Sequence, residues 1–174
     1  RWHGIGTMLA ALHDPAWPRG VDLLIAGDGL EAPVLRAALA DQPAGPEAPR
    51  LHWLRDLPHA AVPALLRGAL CALVPIGNPQ GRSAHGVLPL KLFEAMACGV
   101  PVLASDLPGQ AELLRQEGAG LVLPVDDAVA LARSVARLHV DPALAARLGA
   151  AGAEAARARH GWAHRAAEVD RLLA

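Results

Sequence analysis

Tyrosine is absent from this chain, phenylalanine and lysine each occur once, and cysteine and methionine twice. With aromatics at 3% beside an apolar fraction of 53%, the core must be assembled from Leu, Val and Ala, which favours close packing of helices on a sheet. Basic stretches interleaved with aromatics are also missing, and the net charge is −1, so no nucleic-acid partner is expected. Charges of both signs are scattered along helix faces, the pattern of a solvated surface. Cys71 and Cys98 stand in apolar surroundings and read as buried thiols of a reducing compartment, not as a disulfide framework. No uncharged apolar run of about 18 residues or more occurs; residues 62–76 come closest and are broken by Arg67. No signal peptide and no initiator Met is seen, and Arg1 reads as a point in mid-fold.

At 174 residues the chain is one domain, large enough to bury roughly 70% of its unfolded surface. Periodicity predicts helices at 4–12, 30–40, 61–68, 109–117, from 126 or 127 to 138, 142–159 and 164–173. It predicts strands at 21–26, 51–54, 69–74 and 121–123. In the first helix Ile5, Met8, Leu9 and Leu12 share a face, and in the second Leu30, Val34, Leu35 and Leu39 point inward. Proline-rich loops cover 14–20 and 41–50, and there is no internal repeat. Strands alternate with helices, and each strand is a continuous apolar run. That combination specifies an α/β fold, a doubly wound parallel sheet with helices on both faces. Ligands of such sheets bind in the crevice beyond the C-terminal ends of the strands. Gly27-Asp28-Gly29, the turn 55–59 and the loop 75–88 all fall at that edge.

The most informative stretch is 87–105, Val-Leu-Pro-Leu-Lys-Leu-Phe-Glu-Ala-Met-Ala-Cys-Gly-Val-Pro-Val-Leu-Ala-Ser. A helix opens at Pro89, where a missing N–H costs nothing. Gly99 ends it, Pro101 prevents its restart, and residues 100–104 follow as a buried strand. The preceding loop, 75–88, is long for a compact domain and faces the helix N-terminus, an arrangement that suits a phosphate.

Candidate chemical groups are few. Gly27-Asp28-Gly29 is half of a dinucleotide fingerprint with Ala32 at the third glycine place, and it reads as a tight turn lining the crevice, not as a nicotinamide site. Lys91 and Glu94, three apart, lie on one helix face. They are either a surface ion pair or an ammonium for a phosphate beside a carboxylate for two ribose hydroxyls. Lys91 is the only lysine beside fifteen arginines, which favours a specific role. His85, in the long loop, could touch a sugar or phosphate. His160 and His164 have metal-pair spacing, but Gly161 interrupts them and no acidic partner is placed nearby, so no metal site is expected. Asp106 reads as a turn cap before Gly109. No Ser-His-Asp or Cys-His grouping, phosphate-binding Walker loop or zinc spacing is present.

Residues 88–105 resemble the donor-site signature of the retaining GT-B glycosyltransferases called glycosyl transferases group 1, which include many enzymes of bacterial sugar polymers and glycolipids. The similarity continues through Trp2-His3-Gly4, with His3 where a lysine is frequent, and through Leu24–Gly29. It extends to 51–63, whose backbone would read the nucleotide base near Leu57 and His59, and to Gly120–Pro124, Asp126-Asp127, Asp141-Pro142 and Trp162. Residues 1–160 would then be a Rossmann-like domain binding a nucleotide-sugar donor, truncated at its N-terminus and lacking its first strand. Residues 161–174 would form a helix returning towards an absent N-terminal domain.

The resemblance implies a hexosyltransferase-type enzyme. It would move a sugar from a nucleotide-diphosphate sugar with retention, without metal or cofactor, and the fragment alone would be inactive. Lys91 and His3 would act at the leaving diphosphate, with the amides of Leu88, Leu90 and Lys91 facing it. Glu94 would grip the ribose, and Gly27, Gly29, Leu57, His59 and His85 would line the donor site. The acceptor, a sugar or lipid, would sit on the absent domain. That domain would also carry any peripheral contact with the inner membrane face, in an otherwise cytoplasmic protein. One departure stands out: the family's first glutamate, eight positions before Glu94, is replaced by Gly86. The competing readings are a non-catalytic nucleotide- or partner-binding module and a nucleotide-sugar epimerase on the same fold.

Overall fold

The computed structural model describes residues 2–173 except 44, 46, 78–80, 82 and 84, and gives the helix path but not the side chains at 165 and 168. The order is α1 (Ile5–Leu12), β1 (Leu23–Ala26), α2 (Ala32–Ala40), β2 (Leu51–Leu54), a 3-10 turn (His59–Ala61) and α3 (Val62–Arg67). There follow β3 (Ala72–Val74), α4 (Leu90–Ala97), β4 (Val102–Ser105), α5 (Gln110–Glu117), β5 (Gly120–Leu123), α6 (Ala128–Val140), α7 (Pro142–Arg159) and α8 (Trp162–Leu173). All pairings are parallel, as the uninterrupted apolar strands require, but they fall into two sheets. β1 pairs with β2, and β4 lies between β3 and β5.

The α/β class with parallel strands flanked by helices is as expected, while burial differs from strand to strand. β4, with a neighbour on each side, is buried at all four positions. β1 is equally apolar but has one neighbour, and only Leu23 is buried while Leu24 is 40% exposed. Leu30 and Val34 also depart from expectation. α2 starts two residues later than predicted, so Leu30 stands in the turn, fully exposed, and Val34 is 46% exposed; Leu35 is buried as expected, joined by Ala32.

One part of the core joins α1, α6 and the start of α7, through Ile5, Met8, Leu12, Leu131, Val135, Leu138 and Leu144. A second lies beneath α4, α5 and α7, through Val74, Leu92, Met96, Val102, Leu114 and Ala155. α4 presents Leu92, Ala95 and Met96 inward, the spacing of a helix face. Pro89 stands one place before the helix, in an extended conformation, instead of in its first turn. Gly99, at a φ of 73°, ends α4, and β4 begins only after Pro101. α7 crosses closely because Gly149 has no side chain: a Cβ there would meet the Gly99 carbonyl oxygen at 2.1 Å. The signature helix is thereby clamped between the sheet and α7, with its N-terminus at the strands' C-terminal rim. Among the described residues, no helix is long and apolar enough to cross a membrane.

Candidate donor site at the sheet rim

α4 delivers Lys91 and Glu94 to the rim, but not as partners of each other. Lys91 Nζ lies 3.5 Å from Nδ1 of His3, whereas Glu94 Oε1 lies 3.3 Å from Nε2 of His59. Among the described residues no carboxylate comes within ion-pair distance of Lys91. Burial holds its ammonium below the ordinary lysine range. His3 is held below the ordinary histidine value, first by burial and then by the Lys91 cation. The result is a partly desolvated positive charge beside an imidazole that resists protonation, which an anion would relieve on both counts.

His3 is set there by the backbone before α1. The Trp2 carbonyl accepts from the Gly77 amide at 3.0 Å. Gly4, at a φ of 67°, presses so close on Pro75 that a Cβ would meet its carbonyl oxygen at 1.9 Å. Only glycine allows both the left-handed conformation and this approach.

Two further turns meet at the rim. The Gly27 amide donates to the Leu54 carbonyl at 2.8 Å, tying the turn after β1 to the end of β2. Asp28 accepts from the Gly29 amide at 2.8 Å and from Arg55 Nε at 3.1 Å. Arg55 holds the Asp28 carboxyl below the usual carboxylate range. The Arg55 guanidinium stacks over the Trp53 ring, 5.2 Å from its centroid, and Trp53 Nε1 donates to the Gly27 carbonyl at 2.7 Å. Sequence reasoning missed this clamp of Asp28, Trp53 and Arg55, since nothing local links residues 25 or more apart.

A cavity of about 1270 Å³ runs between β1 and β3 and reaches this rim, where His3, Gly27, Gly29, Lys91 and Glu94 line it. Those five candidates are therefore brought together. His59 joins them through Glu94, while Leu57, half-buried in the same turn, does not line the cavity. Leu88 and Leu90 flank the start of α4 with side chains 49% and 62% exposed. No side chain caps that helix, which leaves its first amides open to a ligand. His85 is exposed in the long loop and does not line the cavity. Gly86 has a φ of 100°, a conformation that strains any residue with a side chain.

Three further readings are corrected. His160 does have an acidic neighbour: its Nε2 lies 2.9 Å from Glu117 Oε1, and Arg159 also binds that carboxylate. Asp106 pairs with Arg115 at 2.8 Å, and the Gly109 amide is accepted by Glu112 instead. Cys71 and Cys98 are free thiols but only half-buried; Cys71 lines the cavity, and its apolar surroundings push it up to about 12. Among the described residues no cluster of three metal-ligating side chains occurs.

A family model described as glycosyl transferase-like matches residues 7–171. The chain is 36% identical over 152 residues to a phosphatidyl-myo-inositol mannosyltransferase of Mycobacterium leprae, covering 87% of this chain and 37% of that protein. It is 32% identical over 171 residues to the same-named protein of Mycolicibacterium smegmatis, covering 97% of this chain and 41% of that one. Thus the chain spans about two fifths of the length of these curated relatives. Among solved structures, sucrose-phosphate synthase of Thermosynechococcus elongatus superposes with a TM-score of 0.77 at 26% identity, over 99% of this chain and 42% of that one. HepE of Anabaena in complex with UDP superposes with a TM-score of 0.78 at 20% identity, over 99% of this chain and 45% of that one, a likeness of fold. Together with the parallel sheets, the clamped signature helix and the charged rim, these matches identify the family: the chain belongs to the group 1 glycosyl transferase-like proteins of the GT-B class.

Proposed function

We propose that this chain is the donor-binding part of a glycosyltransferase that moves a sugar from a nucleoside-diphosphate sugar to an acceptor with retention at the anomeric carbon. The observation that carries the proposal is the separation of Lys91 from Glu94. Side chains one helical turn apart could pair with each other, yet Lys91 faces His3 and Glu94 faces His59. Each therefore stays available to a different part of one ligand, the cation to a diphosphate and the acid to the vicinal hydroxyls of a ribose. The mannosyltransferase relatives, and a neighbouring fold seen with UDP and with UDP-glucose, support the same ligand class.

As the anomeric C–O bond breaks, its electron pair stays with the leaving diphosphate. Lys91 and the open amides of Leu90 and Lys91 would meet that growing charge at the helix's positive end. His3, neutral and adjacent, can donate or accept a hydrogen bond there. Gly27 and Gly29 would leave room for the ligand where the clamped turn lines the crevice, with Leu57 and His59 beside the base.

The test uses the full-length protein. A labelled nucleoside-diphosphate sugar should be turned over, and proton coupling constants of the product should report the donor's own anomeric configuration. An inverted product would overturn the retaining assignment. Tight nucleoside-diphosphate binding without any turnover would point instead to a binding module, the reading that the glycine at position 86 favours.

A further inference from the structure

The turn after β1 borders the candidate site without being packed into place. Leu30 is fully exposed, and a Cβ added at Gly27 or Gly29 would meet nothing within 4 Å. The turn is held by polar ties to the end of β2 instead. The Gly27 amide donates to the Leu54 carbonyl at 2.8 Å, and Trp53 Nε1 donates to the Gly27 carbonyl at 2.7 Å. Asp28 Oδ1 accepts from the Gly29 amide, while Asp28 Oδ2 accepts twice from Arg55, from Nε at 3.1 Å and from Nη2. The Arg55 guanidinium stands over the Trp53 ring, 5.2 Å from its centroid. Gly27, Asp28 and Gly29 line the cavity, whereas Trp53 and Arg55 lie outside it.

We propose that Arg55 is a positioning residue of the donor site. Its clamp on Asp28 locks the Gly27–Gly29 turn to the turn carrying His59, so both are set before a nucleoside-diphosphate sugar arrives. The inference rests on the donor reading above. Magnitudes favour placement over stability as the role of the clamp. An ion pair whose side chains are 51% and 39% exposed adds little to global stability. Direction is another matter. Two donors on one oxygen, with the planar guanidinium over an indole, hold Arg55 to one orientation. Arg55 also opens the turn whose His59 meets Glu94 at 3.3 Å, so it stands where the two halves of the rim join. Without it the Gly27–Gly29 turn must be ordered by the donor itself. That costs affinity and leaves the leaving-group chemistry at Lys91 alone.

A second cation supplies the control. The Arg36 guanidinium lies 5.9 Å from the Trp53 ring centroid and adds to the positive charge around Asp28. Among the described residues it makes no hydrogen bond to that carboxylate. Removing Arg36 therefore changes the local charge and spares the tie.

Calorimetry and steady-state kinetics of the full-length protein test it. Arg55→Ala should weaken nucleoside-diphosphate binding roughly tenfold and raise KM for the sugar donor by a similar factor. At saturating donor its kcat should stay within about threefold of wild type, and its thermal midpoint should barely move. Arg55→Lys keeps the charge without the fork and should recover only part of the affinity. Asp28→Asn should match Arg55→Ala, and the double variant should bind no worse than either single one. Arg36→Ala should stay within about twofold of wild type. Wild-type affinity in Arg55→Ala and Asp28→Asn overturns the proposal while the donor reading stands. So does a loss confined to kcat, a lowered midpoint with unchanged KM, additive effects of the two substitutions, or an equal loss in Arg36→Ala. A wild-type protein that binds no nucleoside diphosphate defeats the donor reading itself, and this inference with it.

Discussion

The Nζ of Lys91 lies 3.5 Å from Nδ1 of His3, across 88 residues of sequence. A lysine and a histidine so placed share no charge attraction, and burial disfavours the charged form of each. Among the described residues no carboxylate lies within ion-pair distance of Lys91, so an anion bound there would favour the charged form of both groups.

Replacing Lys91 by Ala in the full-length enzyme should lower kcat by about 10²–10³-fold, the effect of removing one well-placed donor from a developing negative charge. Lys91→Arg should retain part of the activity. Steady-state kinetics with a saturating donor measure both. A loss below fivefold for the Ala variant would count against a role at the leaving group.

Glu94→Ala should weaken nucleoside-diphosphate binding tenfold or more, about 1.4 kcal/mol, because the ribose hydroxyls lose their acceptor. Calorimetry of the full-length protein reads it directly. An unchanged dissociation constant would remove the ribose assignment while leaving Lys91 untouched.

His3 supplies a pH dependence whose sign follows from its lowered value. In the free protein burial, and then the Lys91 cation, hold it below its ordinary value of about 6.5, so it stays neutral to lower pH than in the unfolded chain. The unfolded chain binds more protons there, so its contribution to stability is lost as pH falls through that window. A bound diphosphate favours protonated His3, so binding should take up protons and tighten as pH drops over the same range. Calorimetry in buffers of different ionisation enthalpy measures the uptake. The difference between wild type and His3→Gln isolates the imidazole from the titration of the terminal phosphate.

Gly4→Ala should disturb this pair without touching its chemistry. The added methyl collides with the Pro75 carbonyl and imposes a strained left-handed conformation. The backbone before α1 must move, and donor affinity should fall together with thermal stability. Gly6→Ala, inside α1 where a Cβ meets nothing within 4 Å, should leave binding unchanged and raise stability by about 0.5–1 kcal/mol.

Glu117 anchors the end of α7 to α5. Its side chain is 3% exposed and bonded to Arg159 and His160. Arg159 first, and then His160, hold its carboxyl below the usual range against the cost of burial. The stabilisation is present above the unfolded carboxyl value and is lost as pH falls through the lower folded one. Glu117→Ala, which leaves His160 without that acceptor, should cost about 1–3 kcal/mol at neutral pH, read as a lower midpoint in urea. The difference between variant and wild type should shrink in acid.

The local patterns in the chain were sufficient for the parallel α/β class and for the helix bearing Lys91 and Glu94. Three-residue and four-residue spacings place Leu92, Ala95 and Met96 on one helix face, and an apolar run such as 102–105 specifies a strand. Partnership was another matter. The choice of His3 for Lys91 and His59 for Glu94, the clamp of Asp28 by Arg55, and the burial of Glu117 against His160 all join residues between 27 and 88 positions apart. Periodicity carries no information about such closures, because they depend on how elements stack once the core has formed. The cavity between β1 and β3 has the same origin. β1 and β4 are equally apolar as sequences, and only the presence of a second neighbour, a property of the assembled sheet, makes one of them fully buried and the other not.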